Sequence, residues 1–105
     1  MRTSDDINMA IVEFKKLCAK HNLSPIDVSM HINVLPTRIY EILNGKRRFT
    51  VDTDLRLTKF FQLKKGYFIK HQIEYDLLLE ERNLEDKLSK IETVFEIVKK
   101  GDIAD

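Results

Sequence analysis

Apolar residues recur at intervals of three and four along most of this chain, and alternation of apolar with polar residues is scarce, which predicts helices. The first covers about residues 6 to 21, with Ile7, Ala10, Ile11, Phe14, Leu17 and Cys18 inward and Glu13, Lys15 and Lys16 toward water. Asn22 breaks that run, and Ser24 followed by Pro25 starts a second helix over about 25 to 31. Its inner side is Val28, Ser29 and Ile32, and Asn33 suits a left-handed turn position. A third helix runs from about Pro36 to Leu43, with Ile39, Ile42 and Leu43 buried and Thr37, Arg38, Tyr40 and Glu41 facing solvent. Asn44-Gly45 ends it, Lys46, Arg47 and Arg48 form a loop, and Thr50 caps a fourth helix over about 51 to 61. The expected core face of that helix is Leu55, Leu57, Thr58 and Phe61. A fifth helix begins near Gly66 and carries Tyr67, Phe68, Ile69, Ile73, Leu77 and Leu78. Beyond it, Leu84, Leu88, Ile91, Phe95 and Val98 make a heptad-like seam, on a continuation of the fifth helix or on a sixth begun by Asn83 and Asp86. Gly101 is the expected end. The fold class is therefore all-α, with five or six helices.

Composition supports a folded domain: 105 residues, 43% hydrophobic, with 3 Gly and 2 Pro. The formal charge of +1 excludes a uniformly basic coat, but it hides a strong asymmetry. Residues 35 to 70 set nine cations against Glu41, Asp52 and Asp54, a net of +6, whereas residues 71 to 98 carry a net of −5. The single cysteine, Cys18, allows no internal disulfide and fits a reducing compartment and a core position. His21, His31 and His71 lie too far apart in sequence to suggest a metal site, and no glycine-rich phosphate loop is present, so neither metal nor cofactor is expected. No apolar run has the length to span a bilayer, and the N-terminal residues lack a signal-peptide pattern; the expected address is cytoplasmic.

Two short helices joined by Ile32-Asn33-Val34-Leu35 have the form of a helix-turn-helix, whose second helix enters the major groove. Pro36, Thr37, Arg38, Tyr40 and Glu41 are the candidate base-contacting residues. Arg38 has the fork geometry for guanine, and Glu41 can accept from cytosine or orient Arg38. Ser24, Lys46, Arg47, Arg48 and Thr50 are the candidate contacts to the DNA backbone. A catalytic set is not discernible, which argues against an enzyme.

Residues 34 to 63, VLPTRIYEILNGKRRFTVDTDLRLTKFFQL, closely resemble the Xre-like helix-turn-helix of HigA-type antitoxins, also labelled virulence-associated protein I. The matching phrase is Arg38, Ile39, Glu41, Ile42, Leu43, Asn44, Gly45, Lys46 and Arg47, then Thr50, Thr53, Leu55, Arg56, Leu57, Phe60 and Phe61. Tyr67, Phe68, Ile69, Lys70, His71 and Gln72 follow, and then Tyr75, Asp76 and Leu77, so the likeness spans residues 22 to 80. Five positions depart from the family's usual residues: Asn33 and Arg48 for glycine, Pro25 for glutamine, Asp54 for alanine and Phe68 for tryptophan. Asp54 is the acid expected near the DNA face.

The resemblance implies a lambda-repressor-like DNA-binding domain over 1–80 and a helical extension over 81–105 for dimerisation or partner binding. It implies a homodimer that represses its own operon at an inverted repeat in double-stranded DNA. It also implies neutralisation of a RelE-like mRNA endonuclease by protein binding. Ile73, Leu77, Leu84, Leu88, Ile91, Phe95 and Val98 are the candidate interface. Two alternatives stay open: an Xre-like transcriptional regulator without a toxin partner, and an adaptor that has lost DNA binding.

Overall fold

The computed structural model describes residues 7–100. These form α1 (Met9–Lys20), α2 (Pro25–His31), α3 (Pro36–Leu43), α4 (Val51–Phe61), α5 (Ile69–Asn83), α6 (Glu85–Ser89) and α7 (Val94–Lys100), with no strand among them. The all-α expectation holds. The expected end at Gly101 lies outside the described residues.

Local chemistry sets most of these boundaries. The Asn8 side chain accepts from the Ala10 amide and starts α1 at Met9, about three residues later than apolar spacing alone suggests. Ser24 accepts from the Asp27 amide while Asp27 accepts from the Ser24 amide, a reciprocal cap that opens α2. Pro36 occupies the first turn of α3, and Gly45, at φ 77°, lets the chain leave it. Thr50 caps α4 through the Thr53 amide.

The core is built around Phe14 of α1. Phe49, Phe61 and Phe68 meet its ring edge-on at centroid distances of 6.4, 6.4 and 6.3 Å, and Phe49 stacks on Phe68 at 5.7 Å. Ala10, Cys18, Val28, Ile39, Ile42 and Leu57 fill the space around them. Burial pushes the Cys18 thiol up, which keeps it protonated as a packing residue.

Two expectations about α4 and α5 are corrected. Leu55 is 45% exposed and faces outward, whereas Asp54, expected near the DNA face, is 2% exposed and lies in the core. Its Oδ2 accepts from the Gly66 amide at 2.7 Å, and its Oδ1 accepts from the Phe68 and Ile69 amides at 2.8 and 3.0 Å. This carboxylate takes up donors at the start of α5 that no local side chain caps, and its charge suits a helix N-terminus. The chain therefore turns through Gly66, at φ 94°, and α5 begins at Ile69 rather than near Gly66.

The heptad-like seam does not ride on one helix. Leu84 closes α5 and opens α6, so those two nearly run on, but residues 91–93 are not helical. Thr93 accepts from the Glu96 amide and Glu96 accepts from Thr93, a capping box that starts α7 afresh. Asn83 bonds to Glu80 and does not cap α6. All residues from 85 to 96 are exposed, and the radius of gyration is 19.2 Å, against roughly 13 Å for a compact chain of this length. The acidic end projects from the bundle.

Replacing Asp54 with alanine strands buried amides that a charged acceptor now satisfies. Asp54→Ala is expected to cost about 3 kcal/mol or more in urea unfolding, whereas Asp52→Ala, on the exposed side of the same helix, costs less than about 1 kcal/mol. Equal costs would contradict the assigned role of Asp54.

Candidate nucleic-acid interface

The segment from Ser24 to Leu43 forms two short helices with a tight turn between them. Ser29 is fully buried and its hydroxyl donates to the Ile26 carbonyl, so a small side chain with its polar atom satisfied fills the inner side of α2. Asn33 adopts φ 59°, as a left-handed turn residue, and the Val34 amide returns to the Ser29 carbonyl at 3.0 Å. Buried Ile32 and Val34 pin the two sides of this turn. Arg56 of α4, which the sequence marks only as part of the family phrase and to which it gives no role, adds a second lock. Its Nη1 donates to the Ile32 carbonyl at 2.9 Å and reaches that of Asn33 at 3.4 Å, while its Nε donates to Asp52 at 2.7 Å.

On α3 the buried stripe is Ile39 and Ile42, each 1% exposed, with Leu43 half-buried. Thr37, Arg38 and Tyr40 are exposed, and Pro36 and Glu41 are half-buried. The five candidate base contacts therefore lie on one eight-residue helix held by its apolar stripe. Glu41 is paired with Arg47, at 3.2 Å, and not with Arg38. The Lys46 and Arg47 amides also return to the Glu41 carbonyl, which folds the start of the basic loop back onto α3. Arg38 and Lys46 make no side-chain hydrogen bond or ion pair among the described residues.

Arg48 is handled differently. Its backbone is not left-handed; among the described non-glycine residues positive φ falls at Asn22, Asn33 and Gln62. Its guanidinium turns toward α5, where Nε donates to Asp76 Oδ2 at 2.8 Å and Nη2 donates to the same oxygen. Gln72, buried one turn earlier, donates to Asp76 Oδ1 at 2.9 Å and accepts from the Phe49 amide at 3.0 Å and from Asn8 at 2.9 Å. Partial burial pushes the Asp76 carboxyl up, but the hydrogen bonds from Arg48 and Gln72 and the charge of Arg48 outweigh it and hold the group below the usual carboxylate range.

The remaining candidate contacts, Ser24 and Thr50, are exposed at the starts of α2 and α4, with their oxygens accepting from backbone amides. Of the candidate interface residues, Leu84 is half-buried and the others are exposed, among them Leu77 at 65% and Phe95 at 82%. His21 and His31 lie against Phe61 and Phe60, and no group of three potential metal ligands occurs among the described residues. No helix among the described residues is long and apolar enough to cross a membrane.

This geometry defines a helix-turn-helix protein with a helical extension. No family model matches the chain. It is 35% identical over 66 residues to virulence-associated protein I of Dichelobacter nodosus, a stretch that takes in 58% of this chain and 61% of that protein, or about three fifths of the relative's length. Its fold matches a HigA-family addiction module antidote protein from Coxiella burnetii with a TM-score of 0.74 and 29% identity, covering 89% of this chain and 98% of that one. It also matches the Pseudomonas aeruginosa antitoxin HigA, solved with the higBA promoter, with a TM-score of 0.76 and 18% identity over 85% and 98% of the two chains. The chain thus shares its fold with helix-turn-helix antitoxins of the HigA type.

Because Asp76 titrates lower in the folded chain than in the unfolded one, its contribution to stability is whole above about pH 4 and drains away as the pH falls through the folded value. Unfolding midpoints of the native chain and Asp76→Asn should differ most at neutral pH and converge in acid. A constant gap across that range would contradict the pairing.

Proposed function

We propose that this chain is a DNA-binding antitoxin that represses its own operon and neutralises a RelE-like mRNA endonuclease by binding it. The observation that carries this reading is the placement of Thr37, Arg38, Tyr40 and Glu41 on the outward side of α3, directly before the Lys46-Arg47 loop. Fork-shaped and hydroxyl side chains on a short, otherwise buried helix suit base edges, and flanking cations suit phosphate. The net +6 of residues 35 to 70 supplies the field that draws a duplex to this side. The structural likeness to HigA-type antitoxins supports the same role.

Residues 1–80 act as the DNA-binding domain and 81–105 as the extension. The apolar side chains of Ile73, Leu77, Leu84, Leu88, Ile91, Phe95 and Val98 join two copies, and the surrounding acids face a basic toxin. A two-fold dimer presents two recognition helices to half-sites about one helical turn, roughly 34 Å, apart. The reason to consider an adaptor that no longer binds DNA weakens, because Asp54 lies in the core and takes no charge to the DNA side.

Selection from a random duplex library by the full chain should recover an inverted repeat. On that duplex Arg38→Ala should cost about 1–3 kcal/mol and relax selectivity at one position of each half-site, while Lys46→Ala lowers the salt dependence by about 1 in slope. Failure to enrich any sequence would sink the DNA-reading role. Specific DNA binding without association with the product of an adjacent toxin-type reading frame would favour a regulator that lacks a toxin partner.

Leu77→Glu places a charge among the proposed subunit contacts and should shift the chain toward monomer in sedimentation velocity. An unchanged oligomeric state would remove Leu77 from the interface.

A further inference from the structure

We propose that Arg48 is a positioning residue and not a phosphate ligand, and that through Asp76 it fixes the loop carrying Lys46 and Arg47 to α5. The proposal rests on the DNA-binding reading above. Three adjacent cations in one loop look equivalent in sequence, but they have different partners. Lys46 has no side-chain partner among the described residues, and Arg47 is paired within its own turn through Glu41. Arg48 spans 28 residues to reach α5.

The surroundings of that contact distinguish it from an ordinary surface ion pair, which holds two long side chains loosely and contributes little. Nε and Nη2 of Arg48 both converge on Asp76 Oδ2, while Gln72 occupies Oδ1. The short Asp76 side chain thus has both oxygens engaged. Gln72 itself is 2% exposed and is held by the Phe49 amide and by Asn8 at the start of α1. The adjoining residues Arg48 and Phe49 are thereby bound to two positions of α5, one helical turn apart. Phe49 is fully buried, so this end of the loop has no freedom to swing toward a duplex. Moving Arg48 to a phosphate would require Asp76 to give up its strongest partner and remain half-buried with only the Gln72 amide.

One consequence is geometric. α5 also carries Ile73 and Leu77, the residues assigned to the subunit contact, at positions flanking Gln72 and Asp76. The Arg48–Asp76 pair therefore lies between the DNA-side loop and the helix that sets the spacing of two copies. It fixes the loop's place relative to that helix without touching DNA.

The test is DNA affinity as a function of salt, using the duplex recovered by selection and the full chain. Arg48→Ala and Asp76→Asn should each weaken binding by on the order of tenfold, and the double variant by no more than either alone. Neither should change the slope of log affinity against log salt, whereas Lys46→Ala, as a control, lowers it by about 1. The charge-reversed pair, Arg48→Asp with Asp76→Arg, should recover part of the loss, which shows that the variants have not simply unfolded. A slope lowered by about 1 in Arg48→Ala, with Asp76→Asn binding as well as the native chain or better, would make Arg48 a phosphate contact and overturn the proposal. Independent, additive losses would overturn it as well. If the native chain selects no duplex, both this proposal and the DNA-binding reading fall; an altered Arg48→Ala slope on a duplex that is bound overturns this one alone.

Discussion

Phe49 follows three consecutive cations and is fully buried, and much of this structure depends on how that is achieved. Its ring is drawn between Phe14 and Phe68, which pulls the end of the α3–α4 loop inward and leaves Lys46, Arg47 and Arg48 at the surface. Its amide cannot follow the ring into an apolar site unpaired, since an unsatisfied buried donor costs about 1–3 kcal/mol. The Gln72 side chain meets it at 3.0 Å. That one hydrogen bond ties the loop to α5, places Gln72 to reach Asp76, and through Asp76 sets the direction of Arg48. Asp54 performs the matching task just before Gln72, at the start of α5, where it gathers three amides around the turn at Gly66.

These two buried polar anchors explain why a short helix can stand with Thr37, Arg38 and Tyr40 exposed. α3 spans only eight residues, too few to be stable alone, so its position comes from packing and from its neighbours. Ile39 and Ile42 hold it to the core, Arg56 locks the turn before it, and the anchored loop closes behind it. Thr37, Arg38 and Tyr40 contribute nothing to the core and stand exposed on the outer side of α3.

What was legible in the sequence follows the range of the interactions involved. Ser24-Pro25, Pro36, Asn44-Gly45 and Thr50 act within a single turn, and the bounds of α2, α3 and α4 agree with them. The polar side of α3 was legible for the same reason, because Ile39 and Ile42 fix which side is buried. The burial of Asp54 is not legible, because its partners lie 12 to 15 residues ahead, in a turn whose shape no local pattern specifies. The ion pair that distinguishes Arg48 from Lys46 and Arg47 crosses 28 residues, beyond the reach of any local pattern. The break before α7 is a different case. Thr93 and Glu96 form a local capping box visible in the sequence, but the heptad spacing of Leu88, Ile91 and Phe95 suggested a continuous seam across it.

The central claim is that DNA meets α3 and the Lys46-Arg47 stretch, while the acidic end beyond α5 takes no part in that contact. Backbone amide chemical shifts, followed by NMR as the selected duplex is added, test it most directly. The largest changes are expected on residues 36–41 and 46–47, with residues 85–100 unmoved. Changes centred on residues 85–100, with α3 unaffected, would contradict it.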